Sequence, residues 1–100
     1  LNMIKTVVYE GVRYKVVAPP KRESNIHKKY EVYDADTGDY ITAFGDNRYS
    51  QYRDKLGYYK SKDTLDKEQR KRYRTRHSKD RGVVEDTPKM AGWWSMRFLW

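Results

Sequence analysis

The chain ends in AGWWSMRFLW, and six of its last eight residues, Trp93, Trp94, Met96, Phe98, Leu99 and Trp100, are large and apolar. Nothing else in the sequence restricts the fold as strongly. Left in water, these side chains would form an exposed patch of a size that folded monomers seldom carry, so the terminus has to dock. Trp94 and Phe98 are four apart, as are Met96 and Trp100, which suits a short terminal helix within the Trp-rich segment 88–100, laid on a sheet with Trp94, Phe98 and Trp100 buried. The surface that receives it is small, because only 37% of the 100 residues are hydrophobic and the mean hydropathy is -1.15. Aromatic rings, 15% of the chain with ten Tyr, must supply much of the core; each buries roughly 150–250 Å² when enclosed.

The first half reads as strands. IKTVVYE and VRYKVV flank Gly11, and in the second Val12, Tyr14 and Val16 alternate with Arg13 and Lys15, which predicts a hairpin over residues 4–17. APPKRESNIHK, with Pro19 and Pro20, follows as a surface loop. KYEVYDA and DYITAFG, joined by Asp36, Thr37 and Gly38, predict a second hairpin over residues 29–45. In its first strand Tyr30 and Val32 share a face; in its second, Tyr40, Thr42 and Phe44 oppose Ile41 and Ala43. Both faces are partly apolar, which suits a sheet covered on at least one side.

Residues 46–62 carry four Tyr without a sustained period and read as an irregular arm, with one helical turn around Tyr49 and Tyr52. Helix signals then converge on residues 63–81. Asp63 or Thr64 can cap the start, Asp66 and Glu68 favour the first turns, and Gly82 is a natural stop. Leu65, Gln69, Tyr73 and His77 recur at spacing four and form a thin stripe, so the aliphatic stems of neighbouring Arg residues have to add cover. The whole describes one α+β domain over residues 1–100, built from a small antiparallel sheet of about four strands, a basic helix and a docked Trp-rich terminus.

Several chemistries are disfavoured. There is no Cys, so no disulfide, thiolate metal site or cysteine nucleophile. His27 and His77 lack partners at metal-ligand spacing, and the carboxylates of YDADTGDY suit a hairpin turn better than a calcium loop. No Gly-rich phosphate loop or nucleophile elbow is present. The expectation is a non-enzymatic protein without cofactor or metal. His77 has a structural role available at a helix end among Arg residues. No apolar run is long enough to span a membrane and the first residues lack a secretory signal pattern, so neither a membrane nor secretion by a signal peptide is expected.

The charge is asymmetric. The chain carries +8, of which residues 1–50 hold +1 and residues 51–100 hold +7. Six Lys or Arg fall in the eleven residues from Gln69 to Lys79, with no acid among them. Arg70, Lys71, Arg72, Arg74, Arg76, Lys79 and Arg81 are therefore the candidate contacts to nucleic acid or another anionic partner. Lys71, Arg72 and Arg74 lie off the apolar stripe and are expected to project into solvent. Arg70 and Arg76 are also placed to pair with carboxylates such as Asp46 or Asp54. Acids at Asp63, Asp66, Glu68 and Asp80 bracket the run and would repel phosphates near its ends, which tips the balance toward a protein partner.

YEVYDADTGDYITAFGDNRYSQYRD, KDTLDKEQRKRYRTRHSKD and AGWWSMRFLW, taken in that order, resemble a family of small uncharacterised proteins encoded by large DNA viruses and some phages. The resemblance rests on Phe44 and Gly45 at a hairpin end, Tyr49 and Tyr52 beyond it, and Lys62 and Asp63 ahead of the helix. Within the helix it rests on Arg70, Tyr73, Arg76 and His77, and at the end on Gly92, Trp94 and Trp100. It covers residues 29–100; the first hairpin lies outside it. It implies a viral source and no catalytic residues. It also implies a virion structural or capsid-associated role, as a minor capsid, cement or decoration protein that contacts capsid proteins or copies of itself. The alternative is a non-sequence-specific accessory protein that binds DNA or RNA through the basic helix, in the virion or the host cell interior. On either reading Phe44, Tyr73, His77, Trp94, Phe98 and Trp100 are structural.

Overall fold

The computed structural model describes residues 2–100. Four strands, β1 (Met3–Tyr9), β2 (Val12–Ala18), β3 (Lys28–Asp34) and β4 (Tyr40–Asp46), form one antiparallel sheet in the order β1-β2-β3-β4. Helices α1 (Lys67–His77), α2 (Arg81–Val84) and α3 (Ala91–Phe98) follow. The expected α+β architecture, two hairpins with a basic helix and a docked Trp-rich end, is the one observed. Among the described residues no helix is long and apolar enough to cross a membrane.

Local chemistry sets the strand connections. Glu10 and Gly11 both take positive φ, 50° and 77°, as a two-residue hairpin turn demands, and β1 pairs with β2 in unbroken register from Met3 opposite Ala18 to Tyr9 opposite Val12. Between β3 and β4 the Asp34 carboxylate accepts the backbone N–H groups of Asp36 and Thr37, and Gly38 completes the turn at φ 81°. Thr42 and Phe44 face the core opposite Val32 and Tyr30, but Tyr40 does not join them. A register shift beside Val32 and Tyr33 pairs Tyr40 with Tyr33, and the Tyr40 hydroxyl accepts from Asn25 near Glu31, as a bulge allows.

Tyr14, Val16, Ala18, Tyr30, Val32 and Phe44 make one apolar face, and Trp93, Trp94, Leu99 and Leu56 close over it. Trp94 is fully buried: its ring stacks on Phe44 at 5.7 Å and Phe98 at 5.5 Å, and meets Tyr14 edge-on at 5.5 Å. Its indole N–H donates to the Pro88 carbonyl at 2.7 Å, so the ring is buried without an orphaned donor. Phe98 and Trp100 are only partly covered, whereas Trp93 and Leu99 are enclosed. On the other face the loop after β2 covers Glu31. Burial pushes the Glu31 carboxyl up, but hydrogen bonds from Asn25, the backbone of Lys21 and Arg22, and the Tyr33 hydroxyl outweigh it and hold the group below its ordinary range.

The arm of residues 46–62 has no helical turn at Tyr49 and Tyr52; side-chain carboxylates organise it instead. Asp54 accepts from the Tyr30 hydroxyl and from the N–H groups of Leu56 and Tyr59. Asp63 accepts from the Gln51 amide and the Asp54 N–H, both at 2.7 Å. The N–H groups of Arg53 and Lys55 donate to the carbonyls of Leu99 and Phe98, so the arm lies along the end of α3.

The basic helix is shorter than the expected residues 63–81. Thr64 and Leu65 instead bond back to the carbonyls of Gln51 and Tyr52, and Leu65 is left-handed at φ 56° and 60% exposed, so it contributes nothing to a buried stripe. Asp66, not Asp63 or Thr64, is the N-cap: its carboxylate accepts the N–H groups of Glu68 and Gln69. Gly82 is no stop either. It lies inside α2 against Met90, where a Cβ would come within 2.8 Å of the Met90 Cβ, so it is small for packing.

Two predictions follow from this packing. Trp94→Ala empties the centre of the core and is expected to cost about 3–5 kcal/mol in urea unfolding. Trp100→Ala is expected to leave the sheet intact while amide exchange over residues 67–77 accelerates, because its ring stacks on Tyr73 of α1 at 4.2 Å. A uniform rise in exchange across the sheet would contradict that separation.

A third concerns Lys29, which is 2% exposed and donates through Nζ to the Gln51 side-chain oxygen. Burial lowers its pKa to about 8, with the Asp54 charge opposing the shift. Because the folded value lies below the unfolded one, the unfolded chain holds more protons between them, and stability rises with pH over that window. The stability difference between wild type and Lys29→Met is expected to shift by on the order of 2 kcal/mol in favour of wild type from pH 7.5 to 9.5, a comparison that cancels the buried tyrosines, whose raised pKa values act in the opposite direction. A difference that does not change with pH would refute it.

Candidate nucleic-acid interface

The seven cations singled out from the sequence do not form one free surface. Arg70 donates from Nε to the backbone oxygen of Trp100 at 2.9 Å, with its guanidinium 4.8 Å from the Tyr52 ring centroid. Arg74 donates from Nη1 to the same oxygen at 3.0 Å and to that of Met96 at 3.4 Å. Both cations thus sit where the end of α3 presents unpaired carbonyls and the negative end of its dipole. They attach α1 to the terminus. The expected pairing of Arg70 and Arg76 with Asp46 or Asp54 does not occur, because Arg48 holds Asp46 and neutral donors hold Asp54. Arg81 pairs with Glu85 one turn along.

Four of the seven remain outward. Among the described residues Lys71, Arg72 and Lys79 are exposed and make no ion pair or side-chain hydrogen bond. Arg76 is also exposed, with its guanidinium 5.8 Å from the Tyr73 ring centroid. The Tyr73 and His77 rings are 4.2 Å apart, and His77 Nδ1 lies 2.8 Å from Asp80 Oδ2.

Between α1, the end of β4 and the start of α3 lies an open cleft of about 650 Å³. Arg72 and Arg76 border it from α1, Lys28 from β3 and Tyr49 from the arm, with Phe44, Leu99 and Trp100 adding apolar lining. The Lys28 side chain is likewise exposed and unpaired, and Tyr49 is 65% exposed. Lys28 was not singled out from the sequence, and no pattern there could have done so. It lies more than forty residues from Arg72, and only the sheet brings it opposite α1.

The acids around the run mostly have hydrogen-bonded places within the fold. Asp66 caps α1, Asp63 binds the arm, and Asp80 faces His77. Asp46, in the cleft wall, takes Arg48 in a two-point pair at 3.0 and 2.9 Å, and that hydrogen-bonded guanidinium holds its carboxyl far below the usual range. Glu68 alone among the bracketing acids has no partner for its carboxylate among the described residues. Of these acids only Asp46 meets a cation at contact distance among the described residues, so it projects little field beyond a Debye length of about 8–10 Å; Asp63 and Asp66 are bound by neutral donors and keep their charge. A scan against protein-family models and searches of curated proteins and solved structures give no match to this chain.

Proposed function

We propose that this protein is a non-enzymatic accessory protein that binds nucleic acid without sequence specificity, by phosphate contacts from the outer side of α1 and the adjoining cleft. The observation that carries this reading is that, among the described residues, the side chains of Lys28, Lys71, Arg72 and Lys79 have no internal partner. Phosphates binding there would release condensed counterions without first displacing an ion pair. Tyr49 offers an exposed ring at the mouth of the same cleft, suited to stacking on an unpaired base. No groove-reading helix motif is involved, so weak selectivity is expected. A virion structural role through protein contacts, as the viral resemblance implies, is the second reading; the outward apolar side chains of β1, Ile4 and Val8, favour it.

The test is fluorescence anisotropy with single-stranded and duplex DNA. Affinity is expected to fall with salt at a log-log slope of about -0.9 per phosphate neutralised on duplex and about -0.7 on single strands. Lys71→Glu/Arg72→Glu/Lys79→Glu is expected to weaken binding at least roughly tenfold without a change in melting temperature, since each residue is exposed and unpaired. Tyr49→Ala should weaken the single-stranded complex by about 5- to 100-fold and spare the duplex. Absence of binding even at low salt, or a complex insensitive to salt, would overturn the proposal.

A further inference from the structure

The two edges of the sheet differ. The β4 edge is irregular: its ladder to β3 shifts register, and Gly45 turns the strand at φ 75°. The β1 edge has neither device. Its seven residues contain no Pro and pair with β2 without a break. Among the described residues no loop, helix or side chain bonds to the backbone of residues 3–9 from the open side. Its one Lys, Lys5, is tied to the Leu56 carbonyl at 2.6 Å. Exposed edge strands are normally blunted by Pro, bulges or charges, inward-pointing ones included, because their unpaired N–H and C=O groups otherwise template another strand; here this single engaged Lys is the only such device among the described residues of the strand.

We propose that the occupant of this edge is β1 of a second copy, paired antiparallel about a two-fold axis at Thr6 to give a continuous eight-stranded sheet. The strand is self-complementary in that register. Side chains alternate across a sheet, so an antiparallel pair that preserves both faces must match even-numbered residues with even-numbered ones. Centred on Thr6, this sets Ile4 against Val8 of the other copy twice and Thr6 against itself, on the outer face where Ile4 is 62% and Val8 63% exposed. On the inner face Met3 meets Tyr9, and Lys5 meets Val7. Moving the axis to Lys5 would oppose two like charges, and moving it to Val7 would set Ile4 against Glu10. Charge does not oppose a second copy strongly: residues 2–10 hold one Lys and one Glu, and of the cations beside the strand Arg13 and Arg97 are paired with Asp36 and Asp86. The apolar pairs and the shared backbone bonds are both of the kind that strand addition uses.

Three measurements on the full chain, free of nucleic acid, test this. Light scattering is expected to show a mass that rises with concentration from 12.1 kDa toward twice that value. Ile4→Lys/Val8→Lys places like charges across the axis and should be monomeric, whereas Ile4→Lys/Val8→Glu places opposite charges there and should remain dimeric. Both substituted side chains are exposed, and an unchanged melting temperature would separate lost pairing from lost folding. The chain has no Cys, so Thr6→Cys supplies a single thiol that should cross-link to its copy under mild oxidation, while Thr37→Cys in the β3–β4 turn should not. A wild type that stays monomeric at every concentration, equal behaviour of the two charge variants, or cross-linking no faster at position 6 than at 37 would overturn the proposal.

Discussion

The burial of Trp94 against Phe44 and Tyr14 is the contact on which the rest of the molecule depends. A sheet with one apolar face and few aliphatic residues cannot exclude water unaided, and Trp94 brings both the area and the flat ring that Phe44 and Phe98 can stack on. Seating that ring positions α3, and α3 in turn sets the backbone oxygens of Met96 and Trp100. Arg70 and Arg74 close on those oxygens while Tyr73 stacks on the Trp100 ring. The basic helix has no buried residue of its own. It is held to the sheet through the C-terminal residues, not by an apolar face.

That arrangement explains how so polar a helix keeps a defined position. Its attachment uses the negative end of α3, where guanidinium groups satisfy carbonyls that would otherwise need water. Of the residues left over, Lys71, Arg72 and Lys79 make no side-chain hydrogen bond or ion pair among the described residues and can meet an outside partner without loosening this joint, while Arg76 lies near the Tyr73 ring and donates from Nε to His77 Nε2 at 3.4 Å. The arm serves the same end by a different route. Asp54 and Asp63 gather backbone N–H groups along a segment whose only regular pieces are a 3-10 turn at Lys60–Lys62 and a bridge between Gln51 and Asp63, which brings Tyr49 to the cleft and Leu56 into the core. Buried polar networks of this sort hold a loop only when every member is satisfied, and among the described residues no buried side-chain polar atom lacks a partner.

Local rules that act within a few residues were legible in the chain: alternation of Val and Tyr for strands, Asp and Gly for turns, acids ahead of a run of good helix formers, and an apolar terminus that had to dock. The misreadings have a common cause. Leu65 and Gly82 carried helix signals, yet Leu65 bonds back to the arm and Gly82 yields space to Met90. Tyr40 kept its strand and lost its face, because a bulge displaced it. In each case a contact remote in sequence overrode a local preference, as tertiary context commonly does.

The sequence by itself determined the fold class, the need for an aromatic core, and the concentration of positive charge in the second half, since these depend on which residues are present and how they are spaced. Only the tertiary structure decided which cations are free. Arg70 and Arg74 do not differ from Lys71 and Arg72 in any property that a linear pattern records; they differ because the carbonyls at the end of α3 lie beside one side of α1 and water lies beside the other. The acids divide in the same way. Asp63, Asp66 and Asp80 read as a negative border; their carboxylates are bound by an amide network, a helix start and a histidine, and the positions of those partners follow from how the chain closes on itself.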